Sequence, residues 1–262
     1  MTKYIKLYLC MSKMNFKVMK QYKLDMFIGM FSNLLMQISS IIFLWTIFDN
    51  VKVFAGWTYS EVLLVYGIFT LCRGLNHIFF DNLWIIGKEF IRRGTFDILL
   101  VRPANELFQI IGQKIQLDGV GTFVLGIAIT KVATDGLDLR FSISNICLWF
   151  LIILMGTLII ASINLILAVS SFWVVKSNNI IWMIYSFADF AQYPLEIFGL
   201  GIKFILTIVL PYGFVSYYPV SCMLGKESFL YIVYEMVLLV IIVVVALRLW
   251  KFGTKKYESA GN

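Results

Sequence analysis

Four charged side chains, Arg73, Asp118, Asp189 and Glu235, stand inside long apolar stretches of a 262-residue chain. A lone charge in a membrane helix costs about 3 kcal/mol or more, so groups of opposite sign at one depth are expected to pair. Arg73 and Asp118 lie toward the same end of consecutive apolar stretches, which predicts an ion pair between them. Asp189 lies nearer the middle of its stretch and, with Gln192, is placed to line a polar path. Holding helices together, or snorkelling to an interface, is the plainer use of the same residue types.

Other chemistry is thinly represented. His77 is the only histidine, which excludes metal sets built on several histidines, and nothing near it completes a catalytic triad. It reads as a polar residue near a helix end. Cys10, Cys72, Cys147 and Cys222 are far apart, show no metal-ligand spacing and read as small apolar residues. A phosphate-cradling loop needs a glycine followed five residues later by Gly-Lys-Ser/Thr. The nearest approach, Gly225-Lys226, continues with Glu227 and has Val220 where the earlier glycine belongs. The residues predict no catalytic, cofactor or metal site, and any ATP-driven step would need a separate subunit.

The elements that must position the four charges are membrane helices. The chain is 60% hydrophobic and 14% charged, too apolar for a fold that covers its core with a polar shell. Its net charge of +7 sits beside the ends of the apolar blocks, a pattern of membrane orientation and not of nucleic-acid binding. Residues 1–24 carry lysines throughout, with no continuous apolar core or cleavage pattern, so they are not read as a signal peptide. At about 100° per residue, Ile5, Tyr8, Leu9, Phe16 and Met19 fall on one side and Lys3, Lys6, Lys13, Lys17 and Lys20 on the other. That predicts an amphipathic helix on an anionic membrane surface, the plainer alternative being a basic flank that only fixes topology.

Residues 25–262 are read as one all-α membrane domain of six spans. The first four cover about 27–48, 60–80, 115–133 and 145–172, the fifth starts near 180 after a loop with Lys176, Ser177, Asn178 and Asn179, and the last covers 229–250. Residues 202–224 are apolar enough to cross as well, but a seventh crossing would place Arg248, Lys251, Lys255 and Lys256 outside, against the positive-inside rule. The segment 199–226 is therefore expected to enter and leave the outer leaflet, with both termini cytoplasmic. The outer loops then keep only Lys52, Lys131, Arg140, Lys203 and Lys226. Pro194, Pro211 and Pro219 lie in or beside this segment, each removing a backbone donor, and with Tyr218 they mark a candidate gate or, equally, a structural lid.

The same topology puts residues 81–114 in the cytoplasm. Within LWIIGKEFIRRG, residues 83–94, Trp84, Ile85, Phe90 and Ile91 alternate with Lys88, Glu89, Arg92 and Arg93, and Gly94 stands where a helix-ending glycine is common. A short amphipathic helix with exposed charged and apolar groups is shaped to enter a groove on a cytoplasmic partner, with Asp97 just beyond it. The plainer reading is a helix on the lipid surface.

RRGTFDILLVRPANELFQ, followed by QYPLEIF and LPYGFVSYYPVSCMLG, resembles the membrane subunit of ABC-2 type (type 2 exporter) ABC transporters, in a poorly characterised bacterial branch. The carrying positions are Gly94, Asp97, Leu99, Leu100, Arg102 and Pro103, then Tyr193, Pro194, Pro211, Tyr218, Pro219 and Gly225. The resemblance covers most of the chain and implies a non-catalytic permease with a coupling helix after the second span and re-entrant helices before the sixth. It also implies a cytoplasmic ATPase dimer that holds ATP and Mg, a second permease subunit that in this branch is often a different chain, and location in a bacterial cell membrane. The aromatic-rich spans suit an amphipathic cargo such as a peptide, an antibiotic or a lipid. A gradient-driven carrier or channel is the competing reading, since it would use the same intramembrane charges, but the halves of the chain show no internal repeat.

Overall fold

The computed structural model describes residues 2–139, 142–174 and 178–258. The side chains of Lys3, Met19, Asn178 and Asn179, and the loop positions Arg140, Lys176 and Ser177, lie outside that description.

Helix α1 (Thr2–Gln21) ends at Tyr22, whose backbone (φ −110°, ψ 43°) leaves helical space, and α2 (Lys23–Asn50) starts at the next residue. The turn of a small hairpin, β1 (Val53–Phe54) with β2 (Trp57–Thr58), follows from Ala55 and Gly56, both at positive φ. Two such residues give a turn whose twist matches that of the strands. Helix α3 (Tyr59–Phe80) then begins with the Glu61 carboxylate accepting the Thr58 N–H at 2.8 Å. Short helices α4 (Phe96–Leu100) and α5 (Glu106–Gln113) lead to α6 (Asp118–Gly136) and α7 (Ile143–Val169). The chain continues through α8 (Asn178–Ser186), α9 (Leu200–Phe204) and α10 (Tyr217–Met223) to α11 (Leu230–Lys255).

Among the described residues, four helical stretches are long and apolar enough to cross a membrane, Lys23–Asn50, Tyr59–Ile91, Asn145–Phe172 and Leu230–Lys255. Two bent pairs, Glu106–Gln113 with Asp118–Gly136 (77°) and Leu200–Val209 with Tyr212–Met223 (78°), are each either one broken span or a re-entrant loop, and the count reaches six only if both are spans. The protein is thus an all-α polytopic membrane protein. Helix α3 is its axis, with Val62–Cys72 buried throughout, whereas α2 buries only Leu44.

Glycine brings α3 and α6 together. A Cβ on Gly74 would lie 2.8 Å from the Phe123 backbone, one on Gly67 3.0 Å from the Thr130 nitrogen, and one on Gly126 3.0 Å from the Leu71 nitrogen. With no hydrophobic driving force between helices in lipid, such backbone approach supplies the dispersion contacts that hold them.

The stretch expected as a fifth crossing differs from the regular helix expected from residue 180. Helix α8 gives way to a 3-10 helix at Phe187–Gln192 and then to extended Tyr193 before Pro194. Trp182 packs 5.1 Å from Trp84, beyond one end of α3, while Glu196 accepts the Trp57 indole N–H at 3.1 Å, at the other end. Residues 182–196 therefore run the length of α3. They cover it because a 3-10 helix rises about 2 Å per residue and an extended residue about 3.3 Å, against about 1.5 Å in an α-helix. Proline at 194 forces its predecessor toward that extended form.

The segment between Gly199 and Lys226 returns to the face it leaves. Trp57 meets both of its ends, Glu196 through the indole N–H and Lys226, whose Nζ lies 4.1 Å from the ring centre. Its bend reaches past the middle of α3, where the Val215 carbonyl lies 3.8 Å from the Cys72 sulfur. Pro194 and Pro211 lie in breaks of the helical path, each immediately before a 3-10 turn. Pro219 sits in the first turn of α10, where a backbone N–H has no helical partner.

Candidate functional site

A cavity of about 720 Å³ opens between α2, α3 and residues 182–192. Asn33, Gln37 and Ser40 of α2 form one wall, Arg73 and His77 of α3 with Asp81 just beyond its end a second, and Trp182, Tyr185, Asp189 and Gln192 a third, with Trp84 at one end. Gln37 also accepts the Tyr66 hydroxyl, which ties α2 to the axis helix at the far end of the cavity. Asp189 and Gln192 thus share the cavity that their sequence positions suggested.

The charges pair differently from the Arg73–Asp118 expectation. Arg73 Nη1 meets Asp189 Oδ1 at 2.5 Å, and its guanidinium carbon lies 5.4 Å from the Tyr185 ring centre. Asp118 instead lies 3.1 Å from His77 Nε2, while His77 Nδ1 lies 3.0 Å from Asp81. Gln116 completes the group by donating to Asp81 at 3.2 Å. The cause is the α3–α6 crossing. Gly119 packs against His77 and Ile78, so the start of α6 reaches α3 one turn beyond Arg73. The i, i+4 spacing of His77 and Asp81 was the signal available for this cluster.

Glu235 has no such partner. It is fully buried on α11, and neither carboxylate oxygen has a hydrogen bond among the described residues, contrary to the expectation of a pair. Nearby in the bundle, Asn164 donates to Asn76 at 3.3 Å and Asn76 to the Thr157 carbonyl at 3.5 Å, which links α7 to α3.

The expected coupling helix at 83–94 is not a free amphipathic helix. Helix α3 continues into a 3-10 turn at Asp81–Leu83 and a π-helix at Ile86–Ile91, and Gly94 (φ +70°) turns the chain into α4. Phe90 does not face outward. It is buried with Ile86, Phe96 and Leu99 against Leu165 and Val169 of α7 and Trp250 of α11. The extra residue per turn of a π-helix rotates Phe90 to the inner side while Lys88, Arg92 and Arg93 stay exposed. Glu89 binds Arg93, and its carbonyl accepts the Thr95 hydroxyl at 2.6 Å. The exposed apolar residues of the region lie further along, at Ile98, Leu100 and above all Val101, which is 83% exposed.

Two further elements brace this region. The Tyr257 ring lies 4.9 Å from Phe96, and burial together with the adjacent Asp97 carboxylate holds its phenol above the ordinary value. Helix α1 packs on α5 through Tyr4 against Phe108 at 4.9 Å and an Asn15 hydrogen bond to the Gly112 carbonyl at 3.3 Å. Its Tyr8 phenol is raised by burial at the same contact, while Ile5, Leu9 and Phe16 stay exposed on the face that the lysine pattern turned toward lipid.

A multi-span helical bundle, a polar cavity beside its axis helix and a structured extension at one end define the membrane subunit of a transporter. The family model described as ABC-2 family transporter protein matches residues 34–261, and the chain belongs to that family. It is a multi-pass membrane permease of an ABC transporter, a class whose members are generally non-catalytic and associate with an ABC ATPase. No curated protein and no solved structure gave a match.

Proposed function

We propose that this chain is the permease of an ATP-driven exporter and that it docks a separate cytoplasmic ATPase dimer through the exposed tip at residues 88–103. The observation that carries this reading is the division of the tip from its base. Lys88, Arg92, Arg93, Leu100 and Val101 are exposed, while Ile86, Phe90, Phe96 and Leu99 join the tip to the ends of α7 and α11. Movement of a bound motor would pass directly into two membrane helices. Glu89, Gly94 and Asp97 support the tip, Glu89 by its pairing with Arg93 and Gly94 by its turn.

In this reading ATP and Mg belong to the partner, both termini are cytoplasmic, and the membrane is that of a bacterial cell. A second permease, preferably a different chain, covers α2, which leaves most of its length uncovered and carries the polar wall of the cavity. The cavity carries an amphipathic cargo, and the deep bend at Pro211, with Tyr218 and Pro219 beyond it and Pro194 before it, closes the far end.

The test is purification of the tagged chain from its native cells in nanodiscs, with mass spectrometry of bound proteins and an ATPase assay. Arg93→Glu with Val101→Asp should abolish ATPase association without changing the melting temperature. Phe90→Ala should instead destabilise the chain by about 3 kcal/mol, as expected for a buried aromatic residue. A wild-type chain that binds no ATPase, or a tip variant that binds it normally, overturns the docking surface, and the former outcome favours the gradient-driven carrier.

A further inference from the structure

The cavity wall has a specific chemistry that the permease reading does not use. Trp84 and Trp182 meet at 5.1 Å with their planes 88° apart, and Tyr185 lies 5.7 Å from Trp84 and 6.4 Å from Trp182. Three rings in different planes make a corner that presents more than one π face, and π faces attract cations, most of all those too weakly hydrated to prefer water. The corner already holds one cation, since the Arg73 guanidinium lies over Tyr185.

The charges beside the corner favour the same class of ligand. Asp81 and Asp189 line the cavity with Arg73 and His77, and Asp118 lies on the far nitrogen of His77. Three carboxylates therefore face one guanidinium and one imidazole, so the group stays net negative even with His77 charged. Asp189 engages Arg73 through Oδ1 while its side chain remains about half exposed. Arg73, the one permanent cation, is neutralised by that carboxylate, so it offers little to an anion. Asn33, Gln37 and Gln192 can solvate a polar group without adding charge.

We infer that this cavity binds an amphipathic organic cation, its charged centre held between Asp189 and the Trp84–Trp182–Tyr185 corner. The inference rests on the permease reading for its use as a transport site, but binding itself does not require an ATPase.

The chain in nanodiscs is dialysed to equilibrium against radiolabelled tetraphenylphosphonium, with empty nanodiscs of the same lipid to measure partition. Tetraphenylborate, of the same shape and opposite charge, is run alongside. Saturable phosphonium binding above the lipid background is expected, with none for the borate. Trp182→Leu, which leaves the Arg73–Asp189 pair in place, should weaken it at least about fivefold, in line with a desolvated cation–π contact. Asp189→Asn should weaken it further and Asp189→Glu should restore much of it, which separates lost charge from a disturbed fold. Phosphonium uptake equal to that of empty discs, saturable borate binding, or unchanged binding by Trp182→Leu and Asp189→Asn overturns the inference. ATPase retention measured on the same preparation tells its failure from failure of the permease reading.

Discussion

Intramembrane charges illustrate how far residue types alone can be read. Their existence and the need for partners followed from cost, and Asp189 and Gln192 do share one cavity. The pairing was not legible, because which carboxylate reaches Arg73 depends on a glycine crossing and on a fifth segment that is not a regular helix. A double-mutant cycle on apparent melting temperature separates the two pairings. Arg73→Ala with Asp189→Ala should be non-additive by about 0.5 kcal/mol or more, whereas Arg73→Ala with Asp118→Ala should add. Additivity in the first cycle would remove the observed pair. At Glu235 the expected partner is not found among the described residues, and burying an unpartnered polar group costs about 1–3 kcal/mol on mutational scales. Glu235→Leu should therefore raise the melting temperature while Glu235→Gln leaves it near that of the native chain, and a large loss with leucine would reveal a partner for this carboxyl.

Among the elements, the long helices were visible because apolar length is a property of sequence, and α1 was visible from its lysine spacing. The π-turn that hides Phe90 and the 3-10 path through residues 187–192 were not, since each answers to neighbours distant in the chain. Pro194 did announce irregular backbone, but it could not tell a helix start from a helix break. The α3–α6 crossing gives the sharpest test at this scale. Gly74→Ala places a methyl group 2.8 Å from backbone, which cannot rotate away, and should cost about 1–3 kcal/mol as an overpacked contact. Gly199→Ala, where a Cβ would meet nothing within 4 Å, is the matched control and should be silent. Equal melting temperatures for the two variants would refute the close crossing.

For the molecule as a whole, Trp57 organises one face and the buried base of the tip the other. Lys226 bonds both Glu61, at 2.9 Å, and the Gly56 carbonyl, at 2.8 Å, so the hairpin, the axis helix and the end of the returning segment form one unit. In a chain with Cys10, Cys147 and Cys222 changed to serine, Lys226→Cys and Arg93→Cys should react with a membrane-impermeant maleimide from opposite sides of a sealed vesicle. Labelling of both from one side would refute the returning path. The split between an exposed tip and an inward base also bears on descent. Substitutions at Lys88, Arg92 or Val101 leave the bundle's own packing intact, so duplicated copies of such a chain are free to drift apart there, whereas drift at Ile86, Phe90 or Phe96 is held back by α7 and α11.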